Sequence, residues 1–197
     1  MNLLVNRLPT TDKFGRTVRT SFRYWINFLR ALSDDEIEPN SRLLYALTCV
    51  YVDEIDVDKF DEYRDGVFWF LNGGKDPEDD GQHNSNQPIL DYDIDQMVIY
   101  STFMSYYHIN LTRAKLHWFE FRALMYTLPQ DTPAGALMYY RGREITSDMP
   151  EWERKQVQRL KRLCRIRKKS DDDWLSEEDF IKAASENWHK LKGQKDG

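Results

Sequence analysis

The stretch HWFEFRALMYTLPQDTPAGALMYYRGREI, His117 to Ile145, decides how this chain folds. It holds seven aromatic side chains, counting His117, and is interrupted once, at Pro129-Gln130-Asp131-Thr132-Pro133. Before the interruption, Trp118, Phe121, Met125 and Leu128 share one helical stripe, with Leu116, Phe119 and Leu124 beside it. A helix that is apolar over much of its circumference has neighbours on several sides. This segment is therefore expected at the centre of the core. After the interruption, Asp131-Thr132 supplies a cap and Pro133 suits a first helical turn, so a second helix carries Leu137, Met138 and Tyr140.

Moving toward the N-terminus, Asn110 or Thr112 is expected to open the aromatic helix, and Asp93 or Asp95 to open a helix with Ile94, Met97, Val98 and Met104. Thr20 or Ser21 caps a helix in which Trp25, Phe28, Leu29 and Leu32 follow the i, i+3, i+4, i+7 series. Pro39 starts another with Leu43, Leu47, Val50 and Tyr51 on one face. A further helix from about Val57 aligns Phe60, Tyr63, Val67, Phe70 and Leu71, and Asn72-Gly73-Gly74 stops it. Residues 2–22 read as a small β element, with Leu3-Leu4-Val5 and Thr17 to Thr20 flanking a turn at Pro9 to Arg16.

Toward the C-terminus, Asp148 and Pro150 open a basic helix over 150–168, and Ser176 to Asp179 caps a last helix with Phe180, Ala184 and Trp188. Lys75 to Pro88 has no aliphatic or aromatic residue, which predicts a mobile polar loop over 75–90. The expected fold class is mainly α. A single helical domain with a small N-terminal β-hairpin spans 1–169, and an acidic segment and helix occupy 170–197.

The 197 residues are enough to bury one core. No apolar run reaches the ~18 residues of a membrane span, and the first residues, MNLLVNRLPTTDK, lack the apolar stretch of a secretory signal. Cys49 and Cys164 lie far apart and read as buried reduced thiols. Together these features predict a cytosolic protein. The net charge of −5 conceals an asymmetry. Asp53 to Asp80 holds eleven acids and three bases, whereas Arg154 to Lys169 holds nine bases and no acid. Such a division points to charged partner surfaces, or to self-association that sets one end against the other.

No catalytic motif stands out. Asp91, Asp93 and Asp95 have the alternation that begins a calcium loop, but Met97-Val98-Ile99 stands where its glycine belongs and no closing glutamate follows. They read instead as the lead-in to a helix. His83, His108, His117 and His189 share no metal-ligand spacing with one another or with a cysteine. His117, beside Trp118, is expected to be a packed, hydrogen-bonded imidazole. Asn72-Gly73-Gly74-Lys75 follows a helix and precedes acids, so it reads as a helix stop and not as a phosphate nest. The expectation is a protein that is not an enzyme and uses no cofactor and no metal.

The basic helix is the feature with the clearest functional content. Leu160, Leu163 and Cys164 form a stripe that can dock on the core, which turns the bases outward. Arg154, Arg159, Arg162 and Arg165 are the candidate partner-binding residues. An acidic protein surface, or pairing within the chain with Asp171-Asp172-Asp173 or the acidic 53–80 region, suits them better than nucleic acid, because no aromatic interleaving supports base stacking.

The order of these segments resembles a family of siphophage proteins from phages and prophages of low-GC Gram-positive bacteria. The pieces that carry it are LLVNRLPTT at 3–11, TSFRYWINFLRAL at 20–32, VFWFLNGGK at 67–75 and DYDIDQMVIYSTFMSYYHINL at 91–111. LHWFEFRALMYTLPQDTPAGALMYYRGREI at 116–145 and the basic helix after it complete the match. Genes of that family lie between those of the major tail protein and the tape-measure protein. The resemblance implies a tail-assembly chaperone in the host cytoplasm, scarce in or absent from the mature virion. Such a chaperone binds the tape-measure protein and recruits tail-tube subunits of the major tail protein. Two other classes of function stand beside it: a tail-completion or connector component of the virion, and a nucleic-acid-binding regulator acting through residues 154–169.

Overall fold

A computed structural model describes residues 4–76 and 89–166 of the chain. Most of the polar loop at 75–90 and all of 170–197, with its expected last helix, lie outside the described residues, as do Leu3 and Arg167 to Lys169. Contacts divide the chain into one unit ending at Arg165 and another beginning at Ile166; only the first is described below.

Seven α-helices form among the described residues: α1 Phe22–Leu32, α2 Pro39–Val50, α3 Phe60–Leu71, α4 Gln96–Tyr106, α5 Trp118–Tyr126, α6 Pro133–Gly142 and α7 Glu151–Leu163. Helix α1 packs against α2 and α5, α2 against α3, α4 against α6, and α6 against α7. The mainly helical expectation holds.

The centre is a run of stacked rings drawn from four helices. Trp25 of α1 stacks on Phe70 of α3 with centroids 4.6 Å apart and on Trp118 of α5 at 5.9 Å. Phe121 of α5 stacks on Phe22 of α1 at 4.7 Å and on Phe103 of α4 at 5.4 Å. Trp118, Phe119, Phe121 and Met125 are all buried, so α5 is enclosed from several sides as its sequence requires. Both buried indoles satisfy their N–H groups, Trp25 on the Arg19 carbonyl at 2.8 Å and Trp118 on that of Leu71 at 3.0 Å.

Local stops and starts follow chain chemistry. Gly73 and Gly74 adopt positive φ after α3. Their amides return to the carbonyls of Phe70 and Trp69, the paired bonds of a glycine-terminated helix. The Thr132 side chain accepts from the Gly135 amide at the start of α6. Helix α5 begins later than Asn110 or Thr112 predict. Asn110 closes a turn on the amides of Thr112, Arg113 and Ala114, and the chain then runs on to His117, the actual cap.

The N-terminal β-hairpin does not form, and no strand occurs among the described residues. Thr11 and Thr17 make one isolated antiparallel bridge around a turn. Asp12 holds that turn by accepting from the Phe14 and Arg16 amides, both at 2.9 Å. Leu4 and Val5 are exposed, so they bury little apolar surface that could hold a hairpin. The β-prone Thr17 to Ser21 stretch is instead a strap between two helix ends. It bridges Tyr51 through Val18 and His117 through Ser21. The Arg19 amide donates to Val50 at 2.7 Å and the Trp118 amide to Thr20 at 2.7 Å.

Candidate interaction surfaces

His117 and the aspartates around the start of α4 are engaged structurally. The Asp91 carboxylate accepts from the amides of Asp93 and Ile94 at 2.8 and 2.9 Å. Asp93 pairs with Arg30 at 2.7 Å. Asp95 receives two guanidinium nitrogens of Arg141 and the amide of Asp91. The three carboxylates therefore face three different donor sets and do not converge on one point. Among the described residues, no group of three or more His, Cys, Asp or Glu is placed to hold a metal ion.

His117 is packed and hydrogen-bonded. Its Nδ1 accepts from the Phe119 amide at 3.0 Å, and its Nε2 lies 2.9 Å from the Pro9 carbonyl oxygen. One nitrogen must accept and the other donate, which is the neutral imidazole protonated on Nε2. Glu120 reaches back to the His117 amide at 2.7 Å and completes a capping box. Burial lowers the imidazole's pKa, against smaller opposing effects of the Pro9 carbonyl and Glu120. Cys49 and Cys164 are free thiols, half-buried rather than buried. Burial raises the pKa of Cys49, which keeps it protonated and unreactive.

Two helix faces lack covering neighbours among the described residues. Helix α4, QMVIYSTFMSY, has no charged residue. Its inner side buries Ile99, Thr102 and Phe103. Its outer side shows Met97, which is 70% exposed, with Met104, Ser101 and the preceding Ile94 on the same arc. A solvent-facing helix side without charge is unusual and makes this face a candidate contact surface.

Helix α7 docks through Val157, with Leu160 and Cys164 half-buried beside it. Leu163, expected in the docking stripe, points outward and is 69% exposed. It shares the outer face with Trp152, also 69% exposed, and with Lys155, Gln156, Arg159 and Arg162. The four candidate arginines separate. Arg159, Arg162 and Arg165 are exposed. Arg154 is half-buried and donates to the carbonyls of Ser147 and Met149 at 3.0 and 3.1 Å, so it fixes the turn into α7. Further anchors hold the helix. Lys161 donates to the Arg143 carbonyl at 2.6 Å, Arg143 pairs with Glu153, and Arg141 donates to the Cys164 carbonyl at 2.5 Å.

The acidic counterpart lies between α2 and α3. Asp53, Glu54, Asp56 and Asp58 are exposed there, interleaved with exposed Val52 and Val57. Sequence reading found the charges of both regions but not their apolar companions. A tryptophan and a leucine eleven residues apart on one helix were the available signal.

No helix among the described residues is long and apolar enough to cross a membrane. Fold and surface define a small helical protein whose most distinctive features are two outward helix faces, one uncharged and methionine-bearing, the other cationic and aromatic. The family model described as Bacteriophage Gp15 protein matches residues 4–166, and the chain belongs to that bacteriophage family. Comparison with curated proteins and with solved structures finds no match.

Proposed function

We propose that this protein is a non-enzymatic tail-assembly chaperone of siphophages of Gram-positive bacteria. It binds the tape-measure protein in the host cytoplasm and recruits tail-tube subunits during tail morphogenesis. Membership of a bacteriophage family and the segment order described above support the setting. The observation that carries the reading is the outer face of α4. Met97 and Met104 present flexible apolar side chains on an uncharged helix, and exposed Ile94 stands just before it. Methionine conforms to many apolar shapes, which suits the holding of a long helical chain whose sequence changes along its length. Many copies with individually weak contacts then retain such a chain through multivalency. Helix α7 offers a second, cationic face for protein contact.

The test is co-expression with the tape-measure protein and affinity capture. M97E/M104E should abolish co-purification and leave the circular dichroism spectrum unchanged, because both side chains face outward. Capture undiminished by that variant refutes the assignment of α4. Mass spectrometry of purified virions addresses the role itself: a stoichiometric complement in mature particles would make the protein a structural component.

A further inference from the structure

We infer that the outer face of α7 is the docking site for a second copy of this chain, which presents the acidic α2–α3 connection to it, head to tail. Two surfaces of one molecule are complementary in charge and in apolar content. On α7, Trp152, Arg159 and Leu163 fall on one stripe (positions i, i+7 and i+11), with Arg162 beside them. Arg159 and Arg162 make no ion pair among the described residues, while Lys155 is held by Glu151 at 2.7 Å. In the α2–α3 connection, Asp53, Glu54 and Asp58 have side chains without an ion-pair partner among the described residues. Val52 and Val57 are exposed between them.

Among the described residues of one chain, no ion pair joins these two sets of charges. Among those residues, the ion pairs of α7 reach Arg143 or stay inside the helix, and those of the acidic stretch stay local or reach Lys13 and Arg16 of the N-terminal turn. Each face therefore holds an apolar centre with an excess of one charge sign, Lys59 of the acidic connection being paired with Asp56, and the two signs are opposite. An exposed tryptophan next to arginine is the composition typical of an interface anchor. Because the faces differ, the contact is heterologous. It adds copies in a row or closes a ring, and it stops at two only if both reciprocal contacts form at once about a two-fold axis.

The inference does not depend on binding of the tape-measure protein. It supplies a means by which many copies stand side by side along any elongated partner.

Sedimentation velocity of the full-length protein, over a range of concentration and salt, tests it. The wild type should associate in a concentration-dependent manner, and less as salt rises. R159E/R162E and D53K/D58K should each weaken association by roughly a hundredfold or more, since like charges then face each other. An equimolar mixture of the two variants should associate again, because each supplies the intact face that the other lacks. A protein that is monomeric at every concentration overturns the inference, as does association indifferent to either reversal. Failure of the mixture to restore association also overturns it, since it excludes the head-to-tail contact. So does a wild type that stays monomeric and shifts only on addition of duplex DNA. Loss of tape-measure capture by M97E/M104E with self-association intact would separate the two faces.

Discussion

Arg141→Met should cost about 3–5 kcal/mol of stability, because it leaves a buried carboxylate without its counter-charge. The side chains of Arg141 and Asp95 are 8% and 4% exposed, so solvent cannot replace the lost partner. The guanidinium makes two bonds to Asp95, one of 2.9 Å between Nη2 and Oδ1, and donates to the carbonyls of Ile89 and Cys164. It thus joins the start of α4, the segment before it and the end of α7. Domains are typically stable by about 5–15 kcal/mol, so this single change removes a large share. Chemical denaturation measures the loss, and the melting temperature should fall by roughly 6–20 °C. The companion is Asp95→Asn with Arg141→Met. It removes the buried charge and keeps an acceptor for the Asp91 amide. The double variant should be more stable than Arg141→Met alone, with a coupling of at least about 1 kcal/mol. Amides near Cys164 should lose exchange protection in both variants, since the carbonyl anchor is gone. A loss below about 1 kcal/mol for Arg141→Met, or a double variant no better than the single, refutes the reasoning.

Gly135→Ala should destabilise by about 2 kcal/mol or more, although alanine is the better helix former by roughly 1 kcal/mol. A Cβ at Gly135 would lie 1.9 Å from the Pro129 carbonyl oxygen, and backbone cannot step aside as a side chain would. Thermal melting decides, and a stabilised variant would show that the turn before α6 yields. His117 makes stability depend on pH. Burial depresses its folded pKa below the ordinary 6.5, so the unfolded chain takes up the proton first as pH falls. The contribution is complete above about 6.5 and is lost as pH falls from there through the folded value. Urea denaturation at pH 7.5 and 5.5 should show this loss in the wild type. It should be smaller in His117→Asn, whose amide oxygen still accepts a cap bond without titrating; equal slopes would exclude the imidazole as the source.

Much of the helical order was legible in the chain because apolar spacing and terminators agreed with each other. Trp25 and Phe28 on α1, Asn72-Gly73-Gly74 after α3 and Thr132-Pro133 before α6 each combine a periodic face with a stop or start of fixed geometry. The failures fall where local chemistry admits several partners and distant residues choose. Asn110 is as good a helix cap by type as any residue nearby, yet it closes a turn, and the cap role passes to His117. An imidazole accepts a cap bond as an oxygen does once its other nitrogen is committed, and the Pro9 carbonyl, 108 positions away, commits it. Thr17 to Thr20 is β-prone whether it pairs in a hairpin or straps two helix ends. Propensity describes a residue's fit to extended backbone and does not name the strand or helix end that will pair with it. On α7 the apolar residues divide between two sides, so periodicity alone could not say that Val157 faces inward and Leu163 outward. That ambiguity has functional content. A helix that needed only to dock would carry its apolar residues on one side, and the second set, Trp152 and Leu163 among arginines, is the surface to which the head-to-tail proposal assigns a second copy.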